Sequence, residues 1–90
     1  MGSLQSQMKT IKEEIAKITA TGSAGAGLVE ATVNGDFAVQ SIKISDAAMA
    51  MNDKSALEVL LVSAINDANE KVKAETATYT ADLMNKIGRK

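Results

Sequence analysis

From Asp53 to Ile87 one helical pattern runs almost unbroken. Apolar residues return at Leu57, Leu61, Ala64, Ile65, Ala68, Val72, Tyr79, Leu83 and Ile87, on the three- and four-residue steps of a single helix face. Ser55 and Glu58 form an S-x-x-E capping box near its start, and Gly88 stands where a C′ residue belongs. At 1.5 Å per residue such a helix is roughly 50 Å long, more than a globule of 90 residues can cover. Its far half is therefore expected to project. The near half differs: Leu57, Val59, Leu60, Leu61, Val62 and Ile65 wrap more than one face, as suits a helix lying between a sheet and another subunit.

The rest of the chain has to supply that sheet. Leu4, Met8, Ile11, Ile15 and Ile18 make a narrow seam, which predicts a first helix over 3–19 that packs along another helix. Between 20 and 45 the spacing changes to alternation. Asn34-Gly35 is a strong signal for a two-residue type I′ hairpin, in which both central residues take positive φ. Counting outward sets Val33 opposite Asp36, Ala31 opposite Ala38 and Val29 opposite Gln40. One face then collects Val29, Ala31, Val33, Ala38, Ile42 and Ile44, and is expected to be covered by helix. The other carries Leu28, Phe37 and Val39 among Glu30, Thr32, Ser41 and Lys43, a mixture that predicts contact with a second copy. Ala20 to Gly25 can add an irregular third edge strand. Asp46 is expected to cap a short helical turn over 46–51, and the long helix follows over 53–87. The reading is a single α+β domain over 1–90, with the first and last helices returning antiparallel as a two-helix arm.

Catalytic chemistry has little to work with. There is no cysteine and no histidine, which excludes disulfides, thiolate metal sites and the histidine-based hydrolase constellations. Gly25-x-Gly27 follows a helix, precedes a strand and has Glu30 where a dinucleotide loop needs its third glycine, so these glycines read as tight-turn backbone. Glu13 and Glu14 diverge on their helix. Asp67 and Glu70 share a face with Lys71 and read as solvated surface. No catalytic residue, cofactor, metal or small-molecule substrate is expected, and no apolar run approaches the roughly 20 residues of a membrane span.

Ten basic and eleven acidic residues leave a net charge of -1, so any affinity for polyanions must be local. Folding the two helices into one arm gathers Lys9 and Lys12 with Lys86, Arg89 and Lys90 at its tip, while Ala26 to Asp46 is net negative. This polarity predicts contact with DNA phosphates through those five residues. With Tyr79 and Phe37 the only aromatics, base stacking has little to draw on.

The stretch "TGSAGAGLVEATVNGDFAVQSIKIS", followed by a capped helix containing "AINDANEKV", resembles the YbaB/EbfC family of bacterial nucleoid-associated proteins. The resemblance rests on Thr21-Gly22, Gly25, Gly27, Val29, Thr32, Asn34-Gly35, Ile44, Ala64, Asn66, Asp67 and Ala68, and spans nearly the whole chain. It implies a cytoplasmic, nucleoid-located homodimer of small α+β subunits, with helices projecting like tweezer jaws and double-stranded DNA bound without catalysis. Leu28, Phe37, Val39, Leu60 and Ile65 are the expected dimer interface. The alternative expectation is a dimeric scaffold that holds a protein partner such as a repair or replication factor.

Overall fold

The computed structural model describes residues 2–88, with side chains over 7–86. Helix α1 (Gly2–Lys17) leads into strands β1 (Thr19–Ala24), β2 (Val29–Asn34) and β3 (Val39–Ile44), then a short helix α2 (Asp46–Ala50) and the 35-residue α3 (Lys54–Gly88). The strands form one antiparallel sheet in the order β1-β2-β3, and α3 packs chiefly across β1 and β2. This is the α+β architecture expected from the residue pattern. The third strand is regular along its whole length, pairing Thr19 with Asn34 through to Ala24 with Val29.

Local chemistry sets the element ends, at positions slightly different from those expected. Ser45, not Asp46, caps α2: its Oγ accepts from the Ala48 N–H at 3.1 Å, leaving Asp46 in the first turn. Asp53, not Ser55, caps α3, its Oδ1 accepting from the Ala56 N–H at 3.1 Å. Asn52, at φ 51°, provides the break between the two helices.

The hairpin register also differs. Val29 lies opposite Ile44 and Ala31 opposite Ile42, with an irregularity between Thr32 and Val33. The connection is longer than two residues, and neither Asn34 nor Gly35 has positive φ; Phe37 does, at 64°. Asn34 organises the turn through its side chain. Its Oδ1 accepts from the N–H groups of Asp36 at 2.9 Å and Ala38 at 3.0 Å, and its carbonyl accepts from Phe37 N–H at 2.8 Å. Gly35 is required for space instead, because a Cβ there would run into the carbonyl of Ile15 at the end of α1. The slip is four residues from Val29 to Thr32, so Ile42 and Ile44 keep the face assigned to them, but three at Val33, so Val39 shares the face of Val33 and not the opposite one expected.

The core is small. Ala20, Val33, Ala68 and Val72 form one cluster and Val29, Ala31, Ala48 and Ala64 another, with Val29, Val33 and Val72 the largest side chains fully buried. At Gly22 the helix and the sheet nearly touch, since a Cβ on this residue would strike the Ala68 nitrogen and the Ala64 carbonyl. The radius of gyration is 17.2 Å, against about 12 Å for a compact chain of this length. The excess comes from α3, whose span of about 52 Å accounts for most of the 57 Å long axis.

Gly22→Ala is expected to push α3 off β1 and cost about 2–3 kcal/mol. Urea unfolding should show this as a lower midpoint with an unchanged slope. A variant as stable as the parent would contradict the close approach.

Candidate nucleic-acid interface

Ile18 packs against the cluster of Ala20, Val33, Ala68 and Val72, and Ile15 abuts Gly35, so α1 joins the body at the end from which α3 departs. Beyond Val72 the half-buried residues of α3 are Thr76, Tyr79 and Leu83, a stripe on steps of three and four. On α1, Ile11 and Ile15 are half-buried, as is Ile18 just past its end, and α1 makes its main contact with β2 and not with α3, so the two-helix arm expected from the sequence is not what holds α1 in place. Measured along each helix from this junction, Lys12 stands about 9 Å out, Lys9 about 14 Å and Lys86 about 21 Å. All three are exposed, while Arg89 and Lys90 lie outside the described residues.

The ion pairs among the described residues leave these lysines uncommitted. Lys17 is tied to Glu14 at 3.6 Å and Lys71 to Asp67 at 3.1 Å, whereas Lys9, Lys12, Lys73 and Lys86 have no carboxylate partner there. Lys73 adds a basic group at the base of the arm. Its spacing from Asn66 and Asn69, seven and four residues earlier, was the available signal in the sequence.

Asp67 and Lys71 do more than decorate a helix surface. The Ser23 N–H donates to Asp67 Oδ2 at 3.0 Å, and Lys71 Nζ donates to the Thr21 carbonyl at 3.3 Å. A pair one helical turn apart thus satisfies a donor and an acceptor on the outer edge of β1. The Ser23 hydrogen bond, followed by Lys71, holds the Asp67 carboxyl below its ordinary value of 3.8.

The opposite flank of α3 faces the β3 side. Asn66, Asn69, Glu70 and Lys73 line an open groove of about 750 Å³ with Phe37. Asn69 Oδ1 is buried with no hydrogen-bond partner among the described residues. Val62, seven residues before Asn69, continues this flank and is 60% exposed. Since α3 covers β1 and β2, it leaves Ile42 and Ile44 bare on the same sheet face, at 41% and 39% exposed. Together they make a trough with an apolar floor and one helical wall.

Of the residues expected at a dimer contact, Leu28, Leu60 and Ile65 are half-buried against their own chain's cluster of Val29, Ala31, Ala48 and Ala64. Phe37 and Val39 are exposed. The loop glycines, Gly25 at φ 64° and Gly27 at 92°, flank Ala26 at 57° and turn the chain so that Leu28 points inward. Among the described residues no group of three or more histidine, cysteine or acidic side chains is placed to hold a metal ion. No helix there is long and apolar enough to cross a membrane.

The model of the YbaB/EbfC DNA-binding family matches residues 1–87. The chain belongs to this family. A protein of Brucella ovis named as nucleoid-associated is 38% identical over 80 residues, covering 89% of this chain and 75% of its own. The nucleoid-associated protein BCAN_A0034 of Brucella canis matches to the same extent. The fold is also that of the uncharacterized protein HP0035 from Helicobacter pylori, with a TM-score of 0.72 at 22% identity, over 92% of this chain and 87% of that one.

Because the folded Asp67 carboxyl titrates below its unfolded value, its stabilising contribution is fully present above pH 3.8 and is lost as pH falls through the lowered folded value. Asp67→Asn should therefore be less stable than the parent at pH 7, and the two urea curves should converge on acidification below about pH 4. A gap of constant size from pH 7 to pH 2 would contradict the carboxylate's role at the β1 edge.

Proposed function

We propose that two copies of this chain form a homodimer that binds duplex DNA without catalysis, through phosphate contacts from its helical arms, in the bacterial nucleoid of the cytoplasm. The observation that carries this reading is the arm itself. The far half of α3 extends beyond the sheet with Lys73 and Lys86 along the helix, Lys9 and Lys12 stand exposed on α1, and all four are uncommitted to any carboxylate among the described residues. Lysines at successive heights suit a backbone groove, where point charges neutralise phosphates without reading bases. The names of the Brucella relatives support the nucleoid assignment.

Pairing of two copies is supported by the trough beside β3. Ile42, Ile44 and Val62 place apolar surface where α3 of the same chain does not reach. A second α3 laid there would bury this surface and bring donors to Asn69 Oδ1, whose burial without a partner is costly in an isolated chain. The small core of each subunit favours the same outcome, since a chain of about this size buries only some 60% of its unfolded surface. Two subunits would then present two arms, and a duplex held between them is contacted from both sides. No nucleophile–base pair that uses histidine or cysteine is available to add chemistry to that contact.

DNA affinity is expected to fall linearly on a log–log plot against salt. Changing Lys9, Lys12 and Lys86 to glutamine should flatten that slope by about 0.9 for each phosphate no longer neutralised, with Arg89 and Lys90 flattening it further when changed as well. An unaltered slope in fluorescence titrations would reject the arm as the DNA-binding surface. For the dimer, Ile42→Glu combined with Val62→Glu should give monomers by sedimentation equilibrium, and a folded double variant that still dimerises would place the interface elsewhere.

A further inference from the structure

The two edges of the sheet are finished in different ways. On β1, Thr21 and Ser23 direct backbone groups outward, and these are met by Lys71 and Asp67. The residues that alternate with them, Gly22 and Ala24, therefore bond inward to Ala31 and Val29. Carrying the alternation across β2 turns the backbone of Glu30 and Thr32 toward β3. This agrees with the bonds from Asn34 N–H to Ala38 O at 3.0 Å and from Ser45 N–H to Leu28 O at 2.9 Å. Opposite Glu30 and Thr32, Lys43 and Ser41 bond inward, which leaves the N–H and C=O groups of Ile42 and Ile44 aimed away from the sheet. No described residue meets them.

Several features make this edge receptive. All six residues of β3 are exposed, and the strand contains no proline. Ile42 and Ile44 flank the edge on the helix side of the sheet, at 41% and 39% exposed. Lys43 lies on the other side and enters no ion pair among the described residues, although Glu30 is its cross-strand neighbour. Backbone groups repeating at strand spacing are matched by another extended backbone, whereas a helix has already spent its own. The side chains add a charge pattern, with apolar positions on either side of a cationic one.

We propose that the outer edge of β3 is a docking site for an extended segment of a partner protein. The segment adds antiparallel as a fourth strand, with apolar residues opposite Ile42 and Ile44 and an acidic residue opposite Lys43. The backbone groups of the edge point sideways from the sheet while the trough opens on its face, so strand addition takes the N–H and C=O groups of Ile42 and Ile44 and dimerisation covers their side chains from above. DNA binding by the arms does not depend on it.

The test uses the full chain and a blocked Thr-Val-Glu-Val-Thr peptide, with amide hydrogen exchange followed by NMR. At ten times its dissociation constant the peptide should slow exchange of the Ile42 and Ile44 amides about tenfold, leaving Ser41 and Lys43, already in the ladder, unchanged. The same peptide with lysine at its centre should bind more weakly, and Lys43→Glu should reverse that preference. The proposal is overturned if neither amide is slowed at the highest soluble peptide concentration, or if Lys43→Glu leaves the preference intact. It is also overturned if both amides are already protected without peptide in proportion to protein concentration, because a second copy of β3 then fills the edge.

Discussion

The closeness of α3 to β1 governs the rest of the molecule. Helix and strand meet at Gly22 with only Ala64 and Ala68 beneath, so no side chain separates the two backbones there. This approach on β1 seats α3 over β1 and β2. Everything on the far side follows from that offset. Ile42 and Ile44 are left uncovered, the flank carrying Val62 and Asn69 looks across at them, and the body reaches stability with a core whose largest buried side chains are valines.

The same offset makes Asp67 and Lys71 structural. With the helix seated on the margin, their side chains reach the strand backbone and act in place of a neighbouring strand. A sheet normally faces the problem of open edges with short strands, charges or bulges. Here one margin is closed by a helix surface whose charged pair would look ordinary on any solvated face. Lys17 illustrates that ordinary case, paired to Glu14 with 75% of its side chain exposed and no backbone partner.

Much of this was legible in the residue order. The periodicity of the last helix gave its length and the projection of its far half, and strand alternation gave the correct face for Val29, Ala31, Val33, Ile42 and Ile44. What eluded the pattern depended on contacts between distant parts of the chain. The Asn34-Gly35 turn was misread because local propensity favours a tight hairpin, whereas the end of α1 presses on Gly35 and Asn34 wraps the loop around its own carboxamide. Leu28 was placed on the wrong face because three successive positive φ values re-aim the chain just before it. Asp67 and Lys71 matched a solvated pattern, and only the seating of α3 distinguishes them from one. The distribution of lysines along the arm was readable as composition but not as height, since height depends on where both helices meet the sheet.

The closed margin of β1 also sets a limit on what can happen when these molecules crowd together. A polymer of sheets needs two reactive ends on every unit, one to receive and one to offer. This subunit has one at most, so two single chains that join by their strands leave no further edge between them. Thr21 and Ser23, by spending their outward backbone groups on the chain's own helix, take the β1 margin out of any such exchange.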